Sequence, residues 1–172
     1  KTNGGLIMHF TVLYFKENTT LEDLGKYYLD TITEEFAEKY LQDEDAGYRF
    51  DEELEEWVED EDYDLPDGFV SAICDWFQVG GRWVDRIKAT RGLKGEPSWC
   101  NCSEKTPDDC YTIVEVKDID DEFLQTIEKL FYGIATDSEY FEGDNDPGYK
   151  DFMTKLKNKE LTGVITLIDC HY

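Results

Sequence analysis

Leu6-Ile7-Met8-His9-Phe10-Thr11-Val12-Leu13-Tyr14-Phe15 is an apolar run rich in β-branched and aromatic residues, with almost no polar interruption. A half-exposed strand would alternate apolar and polar side chains; this run does not, so it is expected to be a strand buried on both faces, at the centre of a sheet. A second such run, Gly163 to Ile168, leads straight into Asp169-Cys170-His171-Tyr172. In many α+β sandwiches the first and last strands are antiparallel neighbours. Pairing residues 6–13 with 163–170 would bring His9 towards Asp169, Cys170 and His171.

Between these strands the patterns change. From Thr20, Leu21, Leu24, Tyr28, Leu29, Ile32, Phe36, Tyr40 and Leu41 form one stripe at helical spacing, predicting a long amphipathic helix capped by Thr19 or Thr20. Cys74 to Asp85 reads as two strands around a Gly80-Gly81 turn, because glycine accepts the positive φ of tight hairpins. Trp76 and Trp83 would then flank the turn and fill core. Residues 91–110 hold the Gly, Pro, Ser, Asn and Asp of a loop, and Tyr111 to Val116 returns as a strand. Asp120 caps a predicted helix through Phe123, Leu124, Ile127, Leu130, Phe131 and Ile134, and Asp146-Pro147 opens another. The expected fold is a single α+β domain over 1–172, with an antiparallel or mixed sheet and helices packed on one face, ferredoxin-like or related.

Composition sets the bounds. A chain of 172 residues with 40% hydrophobic and 15% aromatic content can bury a core large enough to offset its ordering entropy. Its 41 acidic and 17 basic side chains give a net charge of -24, which repels nucleic acid and anionic membranes and favours a basic partner. No apolar run reaches the length of a membrane span, and no signal-type segment opens the chain, so a cytoplasmic protein is expected. Five cysteines, an odd number, suggest free thiols in a reducing compartment.

The acidic excess concentrates at residues 34–67, where 17 acidic side chains face only Lys39 and Arg49. Leu54, Trp57 and Val58 have helical spacing there, so a short charged helix is expected. Carboxylates three and four residues apart on a helix lie about 5–6 Å from one another, comparable to successive phosphates. Glu52, Glu53, Glu55, Glu56, Glu59, Asp60, Glu61 and Asp62 would then occupy a basic nucleic-acid groove, with Trp57 as an apolar anchor. A solvated face would explain the same residues.

Three segments together resemble a family of small acidic proteins of bacteriophages and mobile elements: His9-Phe10-Thr11-Val12-Leu13, Asp75-Trp76-Phe77-Gln78-Val79-Gly80-Gly81-Arg82-Trp83 and Leu167-Ile168-Asp169-Cys170-His171. Phe77, Val79 and Tyr172 depart from the family's usual Tyr, Ile and final Ile. The resemblance implies a phage origin, a common scaffold and a place in the host cytoplasm. Joined to the charge, it leads to a non-enzymatic inhibitor that mimics DNA and blocks a basic, nucleic-acid-binding host or defence protein. The alternative is a small metal- or nucleotide-binding domain with its site at the paired termini.

Other constellations carry two readings each. His9, Asp169, Cys170 and His171 could ligate a metal or satisfy ordinary hydrogen bonds, and strand alternation keeps all four from sharing a face. Gly80, Gly81 and Arg82 could approach a phosphate, or turn a hairpin whose arginine pairs with Asp75 or Asp85. Cys100, Cys102 and Cys110 could hold zinc, although their spacing is not that of a zinc knuckle, or be surface thiols. Asp144-Asn145-Asp146 fails as a calcium loop because Lys155 stands at position twelve. No hydrolase, phosphate-loop, zinc-protease or kinase signature is present, and no cofactor is expected.

Overall fold

The computed structural model describes residues 8–42, 47–100 and 105–172. In chain order the elements are β1 (His9–Glu17), α1 (Leu21–Leu24), α2 (Tyr28–Tyr40), β2 (Tyr48–Asp51), β3 (Glu56–Glu59), β4 (Trp76–Gly81), β5 (Ile87–Lys88), β6 (Glu96–Pro97), β7 (Cys110–Tyr111), β8 (Ile113–Glu115), α3 (Asp121–Leu124), β9 (Gly133–Ala135), β10 (Tyr140–Glu142), α4 (Pro147–Lys157) and β11 (Gly163–His171). The class is α+β. One mixed sheet runs in the order β10-β9-β1-β11-β4-β6, with β8 also paired to β11, and two small two-stranded sheets stand beside it.

β1 and β11 pair antiparallel along their whole length, from His9 opposite His171 to Glu17 opposite Gly163. The expected neighbours are therefore neighbours, each nine residues long. β9 lies parallel on the other side of β1, and β4 lies antiparallel on the other side of β11. Burial on both faces follows from that central position. Val12, Tyr14, Val164, Ile168 and Cys170 enter one core with Ile32, Phe36 and Tyr40 of α2. Leu13, Phe15, Ile165 and Leu167 enter the other with Tyr149, Phe152, Met153 and Leu156 of α4. Helices thus cover both faces of the sheet rather than one. Each large apolar side chain fully withdrawn from water contributes about 1.5–3 kcal/mol.

Four expectations are corrected by the chain's local geometry. The long first helix is broken after Leu24, where Gly25 takes a φ of 69°. Its cap is as expected: Thr20 Oγ1 accepts from the Asp23 N–H and Asp23 returns the bond to the Thr20 N–H. The predicted acidic helix is instead the hairpin β2–β3, with Phe50 opposite Trp57 and a turn through Glu52 to Glu55. Glu55 has a φ of 53°, which no helix interior accepts.

Gly80 and Gly81 do not turn a hairpin. They end β4 while pairing in parallel with Glu96 and Pro97 of β6, and the chain returns through residues 82–85 to β5, whose partner is β7. Trp83 packs on the core, but Trp76 is 46% exposed. The stripe after Asp120 divides into α3, a 3-10 turn at Ile127–Lys129 and the strand β9. Among the described residues, no helix is long and apolar enough to cross a membrane.

Candidate functional site

The antiparallel register sets side chains in rows across the sheet. His9, His171 and Trp76 occupy one row over β1, β11 and β4, because His171 is opposite both of the others. The next row is Thr11, Asp169 and Gln78. All six lie on the sheet face that also carries Leu13 and Leu167. The three rings make edge contacts: 5.1 Å between His9 and His171, 6.1 Å between His9 and Trp76, and 6.4 Å between Trp76 and His171, centroid to centroid.

Each histidine is held by a carboxylate. His9 Nδ1–H donates to Asp169 Oδ1 at 2.8 Å, and His171 Nδ1–H donates to Asp75 Oδ1 at 2.7 Å. Asp169 is fully buried, and its other oxygen, Oδ2, accepts the backbone N–H of Arg82 at 2.9 Å. A buried carboxylate with both oxygens engaged is a rigid anchor, whereas unpaired it would be costly. Asp75 is tied to the same strand by its backbone, whose N–H donates to the His171 carbonyl at 3.0 Å. With Nδ1 engaged, Nε2 is the working atom of each ring. In a neutral ring held this way, the lone pair is on Nε2.

Gly81 explains how Asp169 reaches Arg82. Its φ is +57°, and a Cβ there would fall 2.6 Å from the Asp169 Cβ and closer still to Oδ2. Only glycine meets both conditions. Beyond it, the edge of the site is the segment after β6. The Ser98 N–H donates to the Gly81 carbonyl at 3.3 Å, and Trp99 beside it is 90% exposed.

The metal candidates separate. His9, Asp169 and His171 converge, while Cys170 points into the opposite core, where burial and then hydrogen bonding to Cys74 push its thiol up, away from the thiolate a metal needs. Among the described residues, no group of three or more His, Cys, Asp or Glu stands where it could hold a metal ion. In the cysteine loop, Cys100 is exposed, with its Sγ 2.9 Å from Ser98 Oγ; Cys110 is half-buried, and Cys102 lies outside the described residues. Arg82 joins the site through its main chain; Asp75 pairs with His171, and Asp85 accepts from Gly95 N–H and Thr112 Oγ1–H.

The acidic candidates lie elsewhere, on and after the hairpin. Glu52, Glu53, Glu55, Glu56, Glu59, Glu61 and Asp62 are exposed and Asp60 is half-buried, with Trp57 61% exposed and edge-on to Phe50 at 5.7 Å. They are spread over a turn and both strand faces. The helical ladder of carboxylates that would imitate successive phosphates is therefore not formed.

Asp75 and Trp76 are site residues that pattern reading missed. The signal was present in their adjacency to Gly80-Gly81-Arg82, but it needed the knowledge that β4 borders β11. No protein-family model, curated protein or solved structure matches the chain.

Proposed function

We propose that this chain is a small-ligand-binding domain whose site is the His9, His171, Trp76 and Asp169 cluster, and that its ligand is of the nucleotide class. One observation carries the reading. The three short segments that resemble the phage family, far apart in sequence, meet at this cluster: His9 from the first, Asp75, Trp76, Gly81 and Arg82 from the second, Asp169 and His171 from the third. The chain's two histidines are both here. A half-exposed indole beside two imidazoles offers a stacking surface for a base, and each imidazole, when protonated, offers an Nε2–H donor to a phosphate. The net charge of -24 opposes a polymeric nucleic acid but acts weakly on a small ligand, since charges beyond about 8 Å are screened at physiological salt.

Two histidines give two sets of imidazole proton signals by nuclear magnetic resonance, both inside the site. Titration with 5′-AMP and 3′,5′-cyclic AMP is expected to shift both saturably. Trp76→Ala should weaken binding about 5- to 150-fold, the range of one lost base–aromatic stack of about 1–3 kcal/mol. Imidazole signals that stay still at millimolar nucleotide would sink the proposal.

A second reading keeps the acidic surface. The hairpin presents an aromatic pair, Phe50 and Trp57, amid carboxylates, the arrangement of an apolar anchor inside a charged rim. On this reading the chain is a phage accessory protein that blocks a basic nucleic-acid-binding host protein. Neutralising the acidic side chains of residues 52–62 to Gln and Asn should abolish salt-sensitive capture of such a partner. Because all but Asp60 of those side chains are exposed, the variant should keep its fold, which far-UV circular dichroism and a cooperative urea melt check. Equal capture by both proteins, at low and high salt, would count against it.

A further inference from the structure

The paired imidazoles have a use beyond holding a ligand. We infer that His9 and His171 form a general acid–base pair that hydrolyses a phosphodiester of a small nucleotide without a metal; the inference rests on the binding site proposed above. Three observations lead to it. First, both imidazoles donate Nδ1–H to a carboxylate, 2.8 and 2.7 Å away, so each ring is fixed in orientation with Nε2 left for proton transfer. A histidine that only filled space would not need a fully buried carboxylate behind it, itself clamped by the Arg82 N–H. Second, the two rings stand 5.1 Å apart at 71°, close enough for one small substrate to meet both. Displacement at phosphorus needs two proton transfers, one from the entering group and one to the leaving group, and so it needs two such residues. Third, no third metal ligand joins them among the described residues, and the pair alone can perform the chemistry.

The two carboxylates point to the substrate. Asp75 and Asp169 stand directly behind the rings, so a phosphodiester, with one negative charge, meets less repulsion there than a monoester or a polyphosphate would.

In the reaction, the unprotonated imidazole takes a proton from water at Nε2 while the water oxygen bonds to phosphorus. The bond from phosphorus to the leaving oxygen breaks, and the protonated imidazole gives its proton to that oxygen. The net change is addition of one water, yielding a phosphomonoester and an alcohol. Proton exchange with solvent then returns the two rings to their starting states.

The test incubates the full chain, in excess EDTA, with adenylyl-(3′,5′)-adenosine and with 2′,3′- and 3′,5′-cyclic AMP, and follows products by chromatography. Binding is read in parallel from the two imidazole signals. The expected result is turnover insensitive to EDTA, with a bell-shaped pH profile. His9→Ala and His171→Ala should each lower kcat/KM by about 10²- to 10⁴-fold. Each variant should also lose one limb of the profile, which assigns acid and base. Near-UV circular dichroism checks that each variant keeps its fold, and His9→Gln and His171→Gln serve where alanine does not. Nucleotide binding with no turnover of any of the three substrates would overturn the acid–base pair and leave the binding site standing. Absence of both would overturn both. Turnover abolished by EDTA, or retained in both histidine variants, would also overturn it.

Discussion

Gly81→Ala is expected to cost about 3 kcal/mol of stability and to uncouple His9 from Asp169 at the same time. The backbone at Gly81 is left-handed, which costs an L-residue about 1–2 kcal/mol. The remainder arises because the new methyl group overlaps a carboxylate that is fully buried and hydrogen-bonded at both oxygens, and that has nowhere to retreat. Urea denaturation reads the first effect and the His9 imidazole signal the second. Gly80→Ala provides the contrast. Its φ is +97° and its Cβ would meet Val84 Cγ2 at 2.9 Å, so it should destabilise too, but without moving His9. Adding Asp169→Ala to Gly81→Ala should cost less than the sum of the two single changes, since the overlap is removed with the carboxylate. A Gly81→Ala protein as stable as the parent, with His9 unmoved, would show that the close approach is not required.

Raising the pH above about 10 is expected to unfold the protein in one cooperative step, driven by buried phenols. Burial is the leading cause that pushes Tyr14, Tyr40, Tyr140 and Tyr149 upward, Tyr149 to about 12. Nearby acids, such as Asp137 for Tyr14 and Glu128 for Tyr149, add to it. The hydroxyls of Tyr40 and Tyr149 donate to main-chain carbonyls, Tyr149 to Phe131 at 2.6 Å, so an ionised ring would face an oxygen with no proton between them. A folded-state phenol with a raised pKa holds its proton where the unfolded chain has released it. The folded form therefore binds more protons above pH 10, and stability is complete below that pH and falls as pH rises through 12. Tyrosinate absorbance should show the buried rings ionising only together with loss of the circular dichroism signal. Smooth ionisation of all eleven tyrosines with the fold intact would contradict this.

Much of this architecture was legible where hydrophobic pattern and burial agree. β1 and β11 read as central strands because both of their faces are apolar, and their pairing brought His9, Asp169 and His171 into view. What the pattern could not show was β4 as the third strand of the site, because nothing local to Asp75 or Trp76 names the neighbour. Elsewhere local and tertiary demands diverged. Gly80-Gly81 looked like a turn, since positive φ is what turns need, but here it serves a close approach to a carboxylate from another strand. Leu54, Trp57 and Val58 matched helical spacing, while the alternation of Tyr48 and Phe50 and their pairing with Trp57 and Glu59 carried the weaker, correct signal of a hairpin. Likewise, Gly25 sat unnoticed within a continuous stripe whose apolar spacing survives the break.

β11 is bordered by β1, β4 and β8, and it supplies residues to both cores. During synthesis, every strand that depends on it emerges earlier and must wait for it, some 150 residues after its partner β1. Assembly of the sheet is thus governed by contacts of very long sequence separation, the regime in which loop closure makes folding slow. His9, Asp75 and Arg82 are without Asp169 and His171 until that strand docks, so a nascent or nicked chain lacking residues 163–171 has no site at all. Ligand binding at this cluster, as proposed above, would therefore report on completed folding.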